Sequence, residues 1–208
     1  MQVFLINVIQ RYGYLGVFLL ITLENIFPPI PSEVILTFSG FITTKTTLSI
    51  VLVIFSATIG SVIGAIILYI IGNILSSKLL TKRNDGKLLF FEVKKIKLAK
   101  DWFYKKGDKT VFFCRFIPVL RSLISIPAGM SDMPFIKFIV YTFIGSLIWN
   151  FLLIYIGKLA GDSWQVVSKY ISEYSKIFFI IIFIIFLLVI FIKVYMKSRS
   201  YKKIYNKK

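Results

Sequence analysis

Histidine is absent from this chain of 208 residues, and cysteine occurs only once, as Cys114. Without histidine the chain cannot build a Ser-His-Asp triad, a histidine-ligated metal site or the histidine nucleophile of many membrane phosphatases. A single cysteine excludes a disulfide within the chain. We therefore predict that the protein has no metal site and no cofactor, and that it is not an enzyme.

Charge is also scarce along much of the chain, because residues 1–77 contain only Arg11 and Lys45 as basic residues. Apolar residues make up 57% of the sequence, more than a soluble domain of this size could bury. The first ten residues lack a basic region and a small-residue cleavage site, so we expect no cleavable signal peptide. The composition predicts an all-α integral membrane protein.

The net charge of +17 is concentrated in two places. Residues 78–110 contain eleven basic and four acidic residues, and residues 193–208 contain seven basic residues and no acid. Because both clusters flank apolar segments, the positive-inside rule explains them better than nucleic-acid binding does, and no nucleic acid is predicted as a partner. The rule places loop 78–110 and the C-terminus in the cytoplasm, in a multi-pass protein of the cytoplasmic membrane.

Long uncharged segments predict the membrane spans. Residues 46–77 and 138–157 contain no charged residue, and each is long enough for a transmembrane helix. A further apolar run predicts a C-terminal transmembrane helix over residues 174–195, followed by a basic tail over 196–208. Loop 78–110 is expected to contain an amphipathic surface helix. The whole chain is predicted to form a single membrane domain.

Two further apolar segments are interrupted by proline and carry charge. Residues 12–44 contain Glu24 and Glu33 on either side of the sequence PPIP, and the arm after it is only about 16 Å long, too short for a ~30 Å core. Residues 111–133 combine two arginines with two prolines. Because broken backbone at membrane depth is tolerated only inside protein or beside a water-filled cavity, both segments are predicted to be re-entrant hairpins. The predicted breaks are Pro28, Pro31, Pro118, Pro127 and Gly129.

An internal repeat relates the two halves of the chain at a constant offset of 85 residues. The matched pairs with the most weight are Gly60 with Gly145, Ser61 with Ser146, and Gly72 with Gly157. Each copy follows a broken hairpin, so residues 1–77 and 111–165 are predicted to form an inverted repeat. The first hairpin would then enter from outside and the second from the cytoplasm. Such repeats place a binding site at their interface, near the membrane midplane.

The charged residues of the two hairpins predict an anion site. Arg115 and Arg121 suit a phosphate, because each guanidinium offers a planar fork of donors. Glu24 and Glu33 are expected to pair with these arginines in the empty site or to carry a coupling proton. Asp132 is assigned to the same ion-pair group, with a cap on the next helix, beside Pro134, as the alternative. The alternative for the whole set is a group of ion pairs that only holds the hairpins together.

Three motifs within about residues 10–165 carry a resemblance to a known family. They are E-N-x-x-P-x-x-P-S-E from Glu24 to Glu33, F-x-x-R-F-x-P-x-x-R from Phe112 to Arg121, and A-G-x-x-x-M-x-x-x-x-F from Ala128 to Phe138. With these motifs the chain resembles the DedA family, also called SNARE-associated Golgi proteins or VTT domain proteins. Ser32 departs from the family pattern, in which many members have glycine before the acid.

The resemblance implies a bacterial inner-membrane protein with facing re-entrant hairpins. Members of the family are implicated in returning undecaprenyl phosphate, the carrier lipid of wall polymers, across the membrane, and eukaryotic relatives resemble phospholipid scramblases. Proton or sodium coupling has been proposed for the family. By motif, its essential acidic and arginine residues correspond to Glu24, Arg115 and Arg121, while Glu33 matches less closely because the spacing of the acids varies.

We predict a flippase that recycles a lipid phosphate, with undecaprenyl phosphate as the first choice, and H⁺ or Na⁺ as the candidate coupling ion. Its partners would be membrane lipids and polyprenyl phosphate, and no oligomeric state is predicted. Four alternatives stay open: an ion or small-solute antiporter, a non-selective phospholipid scramblase, a membrane enzyme acting on a lipid phosphate, and a scaffold.

Overall fold

The structure is a computed structural model that describes residues 2–27, 32–81, 103, 107, 109–118 and 120–164, and eight single positions between 166 and 184. Within these residues every regular element is helical and no strand occurs, which confirms the predicted all-α class. The chain divides into two units, Met1–Ser172 and Glu173–Lys208. In the second unit the four described residues, Glu173, Ile177, Ile180 and Ile184, are helical. The rest of the predicted C-terminal helix, the basic tail and most of loop 78–110 lie outside the described residues.

The first predicted hairpin consists of helix α1, Gln2–Ile26, and helix α2, Ser32–Lys45. Helix α1 bends at Gly13, whose φ of +52° is readily adopted only by glycine. Helix α2 is short, about 21 Å at 1.5 Å per residue. Its residues from Ser32 to Gly40 are buried on every side. The PPIP sequence between the two helices, with the predicted breaks Pro28 and Pro31, lies outside the described residues.

Two helices are long and apolar enough to cross a membrane, namely Ile50–Ser77 and Phe135–Ser163 among the described residues. The first belongs to helix α3, Ile50–Thr81, and the second contains helix α6, Phe135–Ala160, with a following 3₁₀ turn, Gly161–Ser163. These helices confirm the predicted spans 46–77 and 138–157 and shift their ends by three to four residues.

The second predicted hairpin consists of several short helical pieces. Residues 109–114 are helical, a turn runs to Pro118, and two short helices follow, α4 over Leu120–Leu123 and α5 over Ser125–Met130. The predicted breaks at Pro127 and Gly129 differ from the structure, because both residues lie inside α5. A proline in the first turn of a helix is tolerated, since its missing N–H has no partner there in any case. The described breaks lie at residues 115–118, which include the predicted break Pro118, and at residues 131–134.

Two close backbone contacts join the hairpins to the spanning helices crosswise. Helix α2 meets helix α6 at Gly40 and Gly157, and helix α5 meets helix α3 at Gly129 and Gly72. A Cβ atom on any of these four glycines would collide with backbone atoms of the facing helix. Each short second arm therefore lies against the spanning helix of the other half of the chain.

A second pair of glycines lies where each spanning helix meets its own hairpin. Gly60 of helix α3 faces the carbonyl of Phe18 in α1, and Gly145 of helix α6 faces the carbonyl of Phe112 in the 109–114 helix. Gly60 and Gly145 are partners in the 85-residue repeat, so equivalent sequence positions make equivalent contacts.

Candidate anion site between the two broken segments

The four charged residues predicted for the site are all buried. Glu24 lies near the end of α1, Glu33 in the first turn of α2, Arg115 in the turn after the 109–114 helix, and Arg121 in α4. None of them is more than 5% exposed. Charged residues are almost never buried to this extent unless they have partners. The fold thus brings together the charges of two segments that are about ninety residues apart in sequence.

Arg121 and Glu24 form an ion pair at the centre of this group. Arg121 Nη2 donates a hydrogen bond to Glu24 Oε2, and both side chains are about 95% buried. The carboxylate of Glu33 is near enough to repel that of Glu24, which Arg121 and Arg115 both attract. At the start of α2, Glu33 also lies where the partial positive charge of a helix N-terminus favours an acid.

Arg115 is held differently, by hydroxyl groups. Its Nη2 atom donates to Ser125 Oγ and to Thr142 Oγ1, each at 3.1 Å. Its Nε atom is buried and has no acceptor. The carboxylate of Glu24 is hydrogen-bonded to Arg121, and its interaction with Arg115 is electrostatic attraction without a hydrogen bond. A buried guanidinium therefore keeps one donor that the protein does not use.

Gly145 makes room for Arg115 beside helix α6. A Cβ atom at this position would lie 2.9 Å from both Cβ and Cγ of Arg115 and 3.3 Å from the carbonyl of Phe112. Since the backbone fixes Cβ and rotation at the far end of the side chain moves neither Cβ nor Cγ, the arginine could not avoid this contact by rotating its end. The glycine of the repeat thus allows the side chain to enter the interior.

A second buried polar group lies between the spanning helices. Asn150 of α6 donates from Nδ2 to Thr58 Oγ1 and Ser61 Oγ of α3, each at 3.3 Å. The Oδ1 atom of Asn150 is buried without a partner. These neutral side chains join the two spans through hydrogen bonds, and sequence reasoning did not single them out for this purpose.

Among the described residues, Asp132 and Pro118 were also predicted for the site, and neither adds a charge to the buried group. Asp132 is exposed, in the turn after α5, with a φ of +54°. The N-cap residue of α6 is Pro134, which was predicted to lie in the first turn of that helix. Pro118 is buried in the turn between Arg115 and Arg121, where a break was predicted.

Sequence reasoning missed Ser125 and Thr142, the two hydroxyls on Arg115. Serine and threonine occur throughout apolar helices because their hydroxyls can bond to the carbonyl one turn earlier, as Thr58 does to Ile54 at 2.8 Å. Nothing in the sequence distinguishes Thr142 from such residues. Only the position of Ser125, within the broken segment that carries the arginines, was a hint.

The fold and these charges define a helical membrane protein with a buried polar centre lined by arginine and glutamate. Comparisons with known proteins agree: the VTT domain matches residues 30–159. "Alkaline phosphatase-like protein" of Lactococcus lactis is 49% identical over 85% of this chain and 84% of its own length. "Undecaprenyl phosphate transporter A" of Staphylococcus aureus is 45% identical over 85% of this chain and 88% of its own length. The protein of the same name in Bacillus subtilis is 35% identical over 80% of this chain and 81% of its own length. The chain belongs to the VTT-domain family, the DedA family of the sequence resemblance.

The names of these relatives differ in the chemistry that they suggest. The transporter names confirm the prediction that this protein is not an enzyme. A phosphatase of the metal-dependent kind would need a cluster of ligands, and the described residues contain no group of three or more His, Cys, Asp or Glu side chains that could hold a metal ion. No solved structure matches the chain significantly.

Proposed function

We propose that the protein is a flippase that carries a lipid phosphate, most specifically undecaprenyl phosphate, across the bacterial cytoplasmic membrane. The observation that carries the proposal is the buried guanidinium of Arg115, with an unused Nε donor, beside the Arg121–Glu24 pair. Two relatives named undecaprenyl phosphate transporter A support the choice of lipid.

The chemistry of the two arginines favours a phosphate. Each guanidinium presents parallel N–H donors that match two oxygens of a phosphate group. Inside the membrane, an arginine without a ligand costs free energy, roughly 2.5–3.5 kcal/mol on insertion scales. An anionic headgroup would lower that cost, while its apolar chain stays among the lipids. The donor geometry of the arginines and the free-energy cost of their burial therefore both favour a lipid phosphate as the ligand.

In the proposed mechanism the headgroup replaces Glu24 on Arg121. The empty site is neutralised by the Glu24–Arg121 pair, and an entering phosphate competes for the same donors. Glu24, once released beside the like charge of Glu33, would gain from taking up a proton or a sodium ion, which gives coupling a physical origin. Asp132 is not part of this mechanism because it lies exposed in the turn after α5.

We further propose that the two broken segments are re-entrant and that the halves form an inverted repeat. In support, helix α2 is too short to span a ~30 Å core, yet its residues from Ser32 to Gly40 are all buried. The crossed glycine contacts, Gly40 with Gly157 and Gly129 with Gly72, relate equivalent elements of the two halves. The site then lies at the interface of the repeats, as in other transporters of this design.

For the topology we propose that loop 78–110 and the C-terminus are cytoplasmic. The ends of α2 and α6 would then both face outward. An exposed ion pair of 2.9 Å between Lys45 Nζ and Asp162 Oδ1 supports this, because it brings these two ends to the same side of the first unit.

The test is transport of undecaprenyl phosphate in liposomes. A membrane-impermeant phosphatase added outside hydrolyses only lipid in the outer leaflet, so transport appears as hydrolysis of the inner-leaflet share as well. We expect the wild-type protein to make the inner share accessible, and Arg121→Ala and Arg115→Ala to remove that activity. Lys158→Ala, which removes an exposed cation at the end of α6, is the matched control and should transport normally.

Two further assays distinguish the alternatives. Equal movement of a fluorescent phospholipid, unaffected by Arg121→Ala, would identify a scramblase and contradict the proposal. Proton or sodium flux in liposomes without any phosphate-bearing lipid would identify an ion transporter. Normal transport of undecaprenyl phosphate by both arginine variants would also refute the proposed site.

A further inference from the structure

Two buried hydroxyl groups beside Arg115 have no role in the mechanism described so far. Ser125 Oγ and Thr142 Oγ1 each lie 3.1 Å from Arg115 Nη2, and both residues are completely buried. Ser125 begins helix α5, whereas Thr142 lies within helix α6. The two hydroxyls thus reach one nitrogen from separate elements, ten and twenty-seven residues along the chain from the arginine.

The unused Nε donor of Arg115 is next to the Nη2 atom, which donates to both hydroxyls. In arginine, the Nε–H and one Nη2–H point in parallel and form the edge that holds two oxygens of an oxyanion. The Nη2 atom is occupied by the two hydroxyls, and the Nε atom has no acceptor. A hydroxyl that accepts from nitrogen still has a proton of its own to donate. An anion bound at the Nε–H would therefore have up to three donors within reach: the Nε–H itself and the two O–H groups beside Nη2.

We propose that Ser125 and Thr142 determine which phosphate headgroup the site accepts, by donating their hydroxyl protons to a phosphate monoester bound at the Nε edge of Arg115. This inference rests on the proposed function. A monoester has three terminal oxygens, one for each donor, whereas a diester has only two and carries a second organic group. In a diester the second organic group replaces one of these terminal oxygens, so a donor on that side would face an ester oxygen or carbon, which accept hydrogen bonds poorly or not at all. A poorly paired buried donor disfavours a ligand.

The inference predicts that the site selects lipids whose headgroup is a phosphate monoester. A polyprenyl monophosphate would satisfy all three donors, whereas a glycerophospholipid, which is a diester, would not. The hydroxyls would then distinguish the carrier lipid from the abundant lipids around it, which the two arginines alone could not do because both lipids are anionic phosphates.

The experiment measures binding of two probes to the purified full-length protein in detergent. The probes are dodecyl phosphate, a monoester, and dodecyl methyl phosphate, the diester with the same chain. We expect the wild type to prefer the monoester, and Ser125→Ala or Thr142→Val to weaken monoester binding about tenfold while diester binding changes little. Thr142→Ser keeps the hydroxyl and should restore the preference.

Ser61→Ala is the matched control, because Ser61 is also a buried hydroxyl on a spanning helix but accepts from Asn150 instead of an arginine. It should leave the preference unchanged. If Thr142→Val weakens both probes equally, or leaves monoester binding intact, the inference is overturned while the proposed flippase stands. If the wild type binds neither probe more tightly than Arg121→Ala does, both the inference and the proposed function are refuted.

Discussion

At the scale of single residues, the ion pair between Glu24 and Arg121 has the largest expected energetic effect. Both charges are removed from water, so each depends on the other for its stabilisation. Such a pair often adds little to the stability of a fold, since two apolar side chains of similar volume often stabilise it equally well. Removing only one partner is a different matter, because it leaves a buried charge without compensation.

We predict that Glu24→Gln lowers the stability of the protein by about 3–5 kcal/mol, because Arg121 then lacks its counter-charge. The double variant Glu24→Gln with Arg121→Gln should regain most of the lost stability and still fail to transport. Thermal unfolding in detergent measures the first effect and the liposome assay the second. Asp162→Asn, which removes an exposed carboxylate from the pair with Lys45, is the control and should unfold like the wild type. A double variant that is as unstable as Glu24→Gln would contradict the pairing.

A second prediction concerns Gly145, which leaves space for the stem of Arg115. We expect Gly145→Ala to cost roughly 1–3 kcal/mol of stability, because the added Cβ would lie 2.9 Å from Cβ and Cγ of Arg115 and must displace it. Transport should fall more than stability suggests, since the guanidinium moves with its stem. Ile144→Ala, at the exposed neighbouring position, serves as the control. Normal transport by Gly145→Ala would show that the position of Arg115 is not critical.

At the scale of elements, the sequence predicted the two spans well and the broken segments less well. Charge-free runs of this length have one physical solution, a helix, so α3 and α6 were found within a few residues. The internal form of the second hairpin depends on how each proline is used. Pro118 lies in a turn, whereas Pro127 fits into the first turn of α5, and the chemistry of proline alone does not distinguish these cases.

The charges of the site were predictable for a similar reason. Buried arginine and glutamate are so costly in an apolar segment that Glu24, Glu33, Arg115 and Arg121 stood out without a structure. The hydroxyls did not, because serine and threonine cost little in an apolar helix and their partners are set only by tertiary contacts. Asp132 was assigned to the site by proximity in sequence, and the turn after α5 exposes it instead.

The glycines that join the elements lead to a third prediction. Gly157→Ala and Gly72→Ala should destabilise the protein to a similar extent, by roughly 1–3 kcal/mol or more, because each new Cβ meets the backbone of the facing helix. Gly161→Ala is the control for glycine removal, since a Cβ at Gly161 would meet no atom within 4 Å and the substitution would add only the strain of a φ of +50°. Thermal unfolding of the three variants measures the effects. If Gly72→Ala unfolds at the wild-type temperature while Gly157→Ala is strongly destabilised, the two contacts do not have equivalent roles.

At the scale of the whole molecule, the proposed topology makes a prediction about access from the two sides of the membrane. In a Cys114→Ser background, cysteines placed at Lys45 and Asp162 should react in intact cells with a maleimide that does not cross the membrane. A cysteine at Lys95, in the basic loop, should react only after the membrane is opened. The positive-inside rule is the physical reason, because basic loops stay in the cytoplasm. Labelling of Lys95→Cys in intact cells would contradict the proposed topology and indicate the opposite orientation.

The crossed glycine contacts have a mechanical consequence for the molecule. At Gly40–Gly157 and Gly129–Gly72 the backbones are so close that a turn of either helix on its axis would bring a side chain against the backbone of its partner. Each short arm is therefore carried by the span of the opposite half. In the proposed inverted repeat, a displacement of one arm would therefore act on the span of the opposite half, so that the two halves would move together.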